Sequence, residues 1–313
     1  MRLPLALFVL AAAAPLLAQT GAPAFTVKES GRSFASLQEA VDAIGAGRGT
    51  ILIPPGRHRQ CASQRAGDVT FAAAQPGTAI FDGVACEGKA ALVLSGRAAT
   101  VEGLIFQGIT VPDANGAGIR LEQGALTVRE SLFRDSESGI LSANTENGGA
   151  IIVERSTFSG LGRCDRGLAC AHSIYIGEYG GGSLTVRRSR FERGRGGHYV
   201  KTRAARVDVT DSSFDDTGGR TTNYMIDLST GAAGTIARNV FVQGKDKENY
   251  SALIAVAGEG RNNRSDALVI EHNDASLAPG MDKSTAFVAD WSGEVTRIAT
   301  NRLGPRIGRY EKR

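Results

Sequence analysis

Aromatic side chains make up only 6% of this chain, with a single tryptophan, and 313 residues hold just 9 prolines and 4 cysteines. So few prolines, with no G-X-Y period, exclude a collagen-like rod. A hydrophobic share of 42% excludes a disordered tail, which lacks the apolar surface to fold. No P-loop, no GxSxG elbow and no CxxC knuckle occurs, so the chain shows no nucleotide-binding, serine-hydrolase or structural-zinc motif. Glycine is the opposite case, with 40 residues where the usual share is roughly 7%. Gly118, Gly139, Gly196, Gly197 and Gly231 are expected at tight turns between short strands.

The longest apolar run lies at the start. Arg2 is followed by apolar residues from Leu3 to Leu17 and by the small Ala18. It is too short for a membrane-spanning helix of about 20 residues and reads as a secretory signal peptide, residues 1–18. Its removal takes the net charge from +4 to +3, since Arg2 is its one charge. The expected location is periplasmic or extracellular, with no transmembrane segment in the mature chain. An even number of cysteines behind such a leader favours disulfides. Cys164 and Cys170 are close enough to staple one loop, and Cys61 and Cys86 lie 25 residues apart.

The strongest signal is an internal repeat. Thr127-Val128-Arg129-Glu130-Ser131-Leu132-Phe133 recurs as Ile152 to Phe158, Thr185 to Phe191, Asp208 to Phe214 and Thr235 to Phe241, with weaker copies near Asn273 and Asn301. The Ser/Asn markers at 131, 156, 189, 212, 239, 273 and 301 are spaced about 28 residues apart on average, in the range of solenoids and propellers. A second apolar segment runs out of phase, as in Ser173-Ile174-Tyr175-Ile176, Tyr199-Val200-Lys201-Thr202 and Met225-Ile226-Asp227-Leu228. Each coil therefore holds at least two short strands, and the fold expected is all-β, a single-stranded right-handed parallel β-helix of about ten coils. Residues 19–60 are expected to cap it as strand, helix and strand, with a capping box at Ser36-Leu37-Gln38-Glu39 opening the helix and Gly45 ending it. Residues 61–304 form the β-helix and 305–313 a basic C-terminal tail.

The segment Phe25 to Arg59 resembles the start of the pectin lyase-like superfamily, through its "QEAVDAI" helix and "ILIPPG" strand. The resemblance extends over nearly the whole mature chain and implies the β-helix fold. The strand Tyr199-Val200-Lys201-Thr202 also resembles the "VKS" strand of the family that includes alginate and chondroitin B lyases, which implies Lys201 as a catalytic base. That family carries an "RHG" motif in the next coil, where this chain reads Met225-Ile226-Asp227-Leu228.

Equivalent positions of stacked coils form outward columns about 4.8 Å apart. With Ile174, Val200 and Ile226 inward, Tyr175, Lys201 and Asp227 form one outward column, and Arg203 lies on the same face as Lys201. His172, His198 and Tyr224 form a second column at the strand entrance. Lys201, His198, Tyr175 and Arg203 are the catalytic candidates; His172, Asp227, Tyr224, Arg195 and Arg206 are the candidates for binding substrate. Asp227 beside Lys201 would raise the lysine's pKa and make it a carboxylate binder rather than a base; then His198 or Tyr175 is the better base. An ordinary cross-coil ion pair and a turn-lining ladder are the plainer readings of the two columns. Residues 187 to 206 hold seven arginines and Lys201 against Glu192 alone, a basic belt suited to an acidic polysaccharide, and export argues against nucleic acid. No cofactor is expected. A calcium ion could draw on Glu178, Asp211, Asp215, Asp216 or Asp227 with backbone carbonyls, but no loop has the alternating Asp/Asn spacing of a dedicated site. The two functions that fit are a β-eliminating polysaccharide lyase and a non-catalytic glycan-binding or surface-structural solenoid.

Overall fold

The computed structural model describes residues 24–165 and 167–313. The leader assigned to residues 1–18 lies outside them. The described residues wind into ten coils of three strands each, from Arg48–Ile53 to Ile307–Lys312. Strands of successive coils pair in parallel, ten to each of three sheets, and the first sheet gains two antiparallel strands ahead of the coils, Phe25–Val27 and Arg32–Phe34, for 12 in all. This is the parallel β-helix expected from the repeat, with the right-handed crossover that parallel strands take.

Three strands per coil, where the repeat alone indicated at least two, come from one sharp bend. The repeat Thr127 to Phe133 folds as the end of Gly124–Arg129 on the first sheet and the start of Leu132–Arg134 on the second. Glu130 sits between them at φ 50°, and Arg155, Arg188, Asp211, Arg238, His272 and Thr300 occupy the same left-handed turn in later coils. The recurrent turn is therefore made by non-glycine residues and held from inside. Each marker side chain accepts from the backbone N–H of the previous coil's marker: Ser156 from Ser131 at 3.2 Å, Asn239 from Ser212 at 3.0 Å and Asn273 from Asn239 at 3.0 Å.

Gly118 and Gly139 are not turn residues. They lie inside the third-sheet strands Ala117–Leu121 and Ser138–Ser142, where a Cβ would come within 2.6 Å of the Phe133 ring and 2.8 Å of the Phe158 ring. Those rings belong to an inward column on the second sheet, Phe81, Phe106, Phe133, Phe158, Phe191, Phe214 and Phe241, with centroids 4.8 to 5.4 Å apart. One ring per coil occupies so much of a narrow interior that two facing positions hold no side chain. Gly196, Gly197 and Gly231 do lie in turns, at φ 135°, 62° and 85°.

The capping helix lies where its sequence put it, but two antiparallel strands precede it, and Arg48–Ile53 and Gly56–His58 already belong to the first coil. The helix Leu37–Ile44 carries the reciprocal capping box, Glu39 N–H to Ser36 Oγ at 3.2 Å and Ser36 N–H to Glu39 Oε2 at 3.1 Å, and buries Leu37, Ala40 and Val41 on the first coil. Cys61–Cys86 and Cys164–Cys170 are both bonded. The segment read as a basic tail contains the last strand of the third sheet, Ile307–Lys312, paired with Thr285–Asp290. No helix of the described residues is long and apolar enough to cross a membrane.

Candidate functional site

The third sheet places both columns. Tyr175 pairs with Lys201 and Lys201 with Asp227 in strands Ile174–Ile176, Val200–Thr202 and Ile226–Leu228, whose flanking aliphatic residues are buried in the coil. Lys201 Nζ donates to Asp227 Oδ2 at 2.9 Å and also to the carboxylate of Glu259. Arg203 holds the other oxygen of Glu259, and its Nε donates to Tyr175 Oη at 3.3 Å. Lys201 also lies over the Tyr175 ring, 5.7 Å from its centroid. Two cations, two carboxylates and one phenol thus meet on the outer face of four adjacent coils.

Burial alone would lower the pKa of Lys201, but Asp227 and then Glu259 outweigh it and hold the lysine above its ordinary value. The resting side chain is an ammonium, a carboxylate binder rather than a base. Asp227 Oδ2 also accepts from Ser229 Oγ at 2.9 Å and lies 3.5 Å from His198 Nε2.

His172, His198 and Tyr224 stack with centroids 4.9 and 5.4 Å apart. His172 Nδ1 accepts the His198 backbone N–H at 2.9 Å, and His198 Nδ1 accepts that of Tyr224 at 3.1 Å. Each neutral ring therefore carries its proton on Nε2. Burial, with the Lys201 charge added, pushes both imidazoles well below the usual histidine range. The lone pair that would make His198 a base is spent on backbone, so the ladder holds the strand entrances and points His198 Nε2 at Asp227.

The basic belt does not assemble. A coil carries the chain around all three faces, so neighbouring arginines diverge. Arg187 and Arg188 donate to Glu154 on the first sheet, 2.8 Å each, and Arg190 pairs with Glu192 on the second. Arg206 lies where the third sheet leads to the first, in a cleft of about 480 Å³ shared with Arg203 and Glu178. Arg195 lines a cleft of about 800 Å³ in the connections from second to third sheet, and donates to Ser136 O. That cleft holds no third-sheet strand residue, and Glu137, Asp165 and Glu248 face Arg163 and Arg195 across it. Its size therefore does not make it the site.

The acids considered for calcium are dispersed. Asp211 pairs with Arg238, Asp216 with Lys247 and Asp227 with Lys201, and no three His, Cys, Asp or Glu side chains converge among the described residues. Sequence reasoning missed Glu259, which extends from the loop after Ala252–Val256 with its N–H on Ser229 O. Its register neighbour in the Asp227 column is the inert Ala255, so no column rule finds it. The one signal is an isolated acid between Gly258 and Gly260.

No sequence-family model and no curated protein matches the chain. Among solved structures, a PL6-family alginate lyase, AlyGC, superposes with a TM-score of 0.56 at 14% identity, covering 86% of this chain. At that identity the likeness is one of fold, and this chain spans 39% of that protein.

Proposed function

We infer that this protein is exported and acts on an acidic polysaccharide by β-elimination, in the outer groove of the third sheet. The observation that carries this reading is a carboxylate, that of Glu259, clamped by Lys201 and Arg203 beside the Tyr175 hydroxyl. A clamp that holds a carboxylate of the protein's own loop has the charge and geometry to hold that of a uronate instead. Neutralising the uronate carboxylate makes the proton on the adjacent ring carbon acidic. Tyr175 in its ionised form takes that proton, the electron pair becomes a carbon–carbon double bond, and the bond to the glycosidic oxygen breaks. The departing oxygen is then protonated by Tyr175 acting as the acid. Lys201 and Arg203 bind, while Asp227 and His198 position Lys201. No metal is needed in this scheme, because the two cations supply the charge.

The fold shared with an alginate lyase supports this class of reaction, and two disulfides behind an apolar leader support export. A second reading, a non-catalytic glycan binder, is favoured by the fully ionised Lys201 and by Met225-Ile226-Asp227-Leu228 where the lyase family has its arginine.

Incubation with a panel of polyuronates, followed by the ultraviolet absorbance of the unsaturated product, decides between them. Turnover is expected, and Tyr175→Phe should lower kcat by about 10² to 10⁴ with KM little changed. A protein that retains these polymers on a column yet produces no absorbance is a binder, and one that does neither removes both readings.

A further inference from the structure

Arg120 stands on the same outward column as the candidate site. It pairs with Leu141, Leu141 with Tyr175 and Tyr175 with Lys201, so it lies three coils from Lys201, about 14 Å at the strand spacing. Between Arg120 and Tyr175 opens a cleft of about 300 Å³ lined also by Asn115, Asn144 and the largely buried Ser142 and His172. Its floor is apolar, since Leu141 packs outside the coil with Val93, Ala90 and Ala117, flanked by Tyr175 and Cys86. Cys170, bonded to Cys164, is among the lining residues and ties down one wall.

The Arg120 guanidinium is incompletely satisfied. Its Nε lies 3.3 Å from Glu122 Oε1 without hydrogen-bond geometry, and that same oxygen already accepts from Lys89 at 2.8 Å. A guanidinium held by one shared, poorly aligned contact keeps N–H donors to offer to a carboxylate. An apolar floor suits the C–H face of a sugar ring, the amides suit its hydroxyls and the guanidinium suits a carboxylate. Asp113 at the rim is the only acid among the lining residues.

We propose that Arg120 and this cleft form a second carboxylate-binding subsite, which takes a uronate farther along the same polysaccharide chain than the one at Lys201. The subsite rests on the uronate-binding reading of the central clamp. It makes affinity depend on oligomer length, because only a chain that spans from Lys201 to Arg120 engages both.

Calorimetric titration of the full chain with oligouronates from disaccharide to hexasaccharide tests it. Wild-type affinity should rise with length; Arg120→Gln should lose about tenfold on the longest oligomers and nothing on the disaccharide. Arg120→Lys should recover part of that loss, and Lys201→Gln should weaken every length. The Arg120→Gln melting temperature should be unchanged, since Glu122 keeps Lys89. If wild type binds but neither Arg120 variant departs from it at any length, the subsite is overturned and the central clamp stands. If wild type binds no oligouronate, both fall.

Discussion

Two lysine–aspartate pairs lie in neighbouring coils and behave in opposite ways. Lys247 and Asp216 are sealed, with both side chains at 0% exposure and 3.1 Å apart. Asp216 also accepts from Tyr199 Oη at 2.7 Å and from Thr222, while Lys247 donates to Thr222 Oγ1 and to Asn223 O. Every Lys247 proton has an acceptor, and burial outweighs Asp216 to lower the lysine's pKa. Lys201 and Asp227 are of the same chemical type on the outer face, and there Asp227, with Glu259 added, outweighs burial and turns the shift upward. The sealed pair ties together the connections from second to third sheet and leaves no path for a ligand. The outer pair is completed by Glu259, a loop carboxylate that is 43% exposed. Accessibility, rather than composition, separates a structural ion pair from a binding one.

The largest way to break this contrast is Lys247→Met. Removing it leaves Asp216 wholly buried and uncompensated, which should cost about 3 to 5 kcal/mol in urea unfolding, against a smaller loss for Lys201→Met, because Asp227 keeps Ser229 Oγ and the second partner, Glu259, is 43% exposed. Equal losses would mean that Lys201 is as structural as Lys247. Acidification should have the next effect. His172 and His198 have depressed folded pKa values, so the stability they contribute is complete above the ordinary histidine pKa of 6.5 and is lost as pH falls through their lower folded values. Thermal melts from pH 7 downward should show this loss, and His172→Phe with His198→Phe should flatten it. The smallest change is Glu259→Gln, which removes the internal competitor but keeps the Lys201–Asp227 pair. Uronate affinity should rise a few-fold in the same titration, whereas a fall would show that Glu259 helps to bind the ligand.

Much of the fold was legible because a solenoid repeats its own constraints. The Ser/Asn markers, the phenylalanine in each coil and the capping box at Ser36 each reappeared in the role their spacing implied. The columns Tyr175, Lys201, Asp227 and His172, His198, Tyr224 were legible too, since parallel in-register stacking turns equivalent positions into neighbours. Arg120 was open to the same reasoning, two coils earlier on the same column. Glu259 was not, because loops between strands follow no period. The arginines of residues 187 to 206 misled as a block, since proximity along the chain is not proximity on a prism with three faces. Gly118 and Gly139 misled for a related reason. A glycine that yields space to a ring is indistinguishable in sequence from one that turns the chain.

The sequence by itself determined the winding, the inward and outward alternation of each strand and the partners stacked one coil away, because these follow from a period of about 28 residues and a strand period of two. Tertiary structure alone decided the protonation of Lys201, the tautomers of the histidine ladder and the presence of a carboxylate in the clamp. Those depend on burial and on which loop closes over which strand, and no local pattern encodes either.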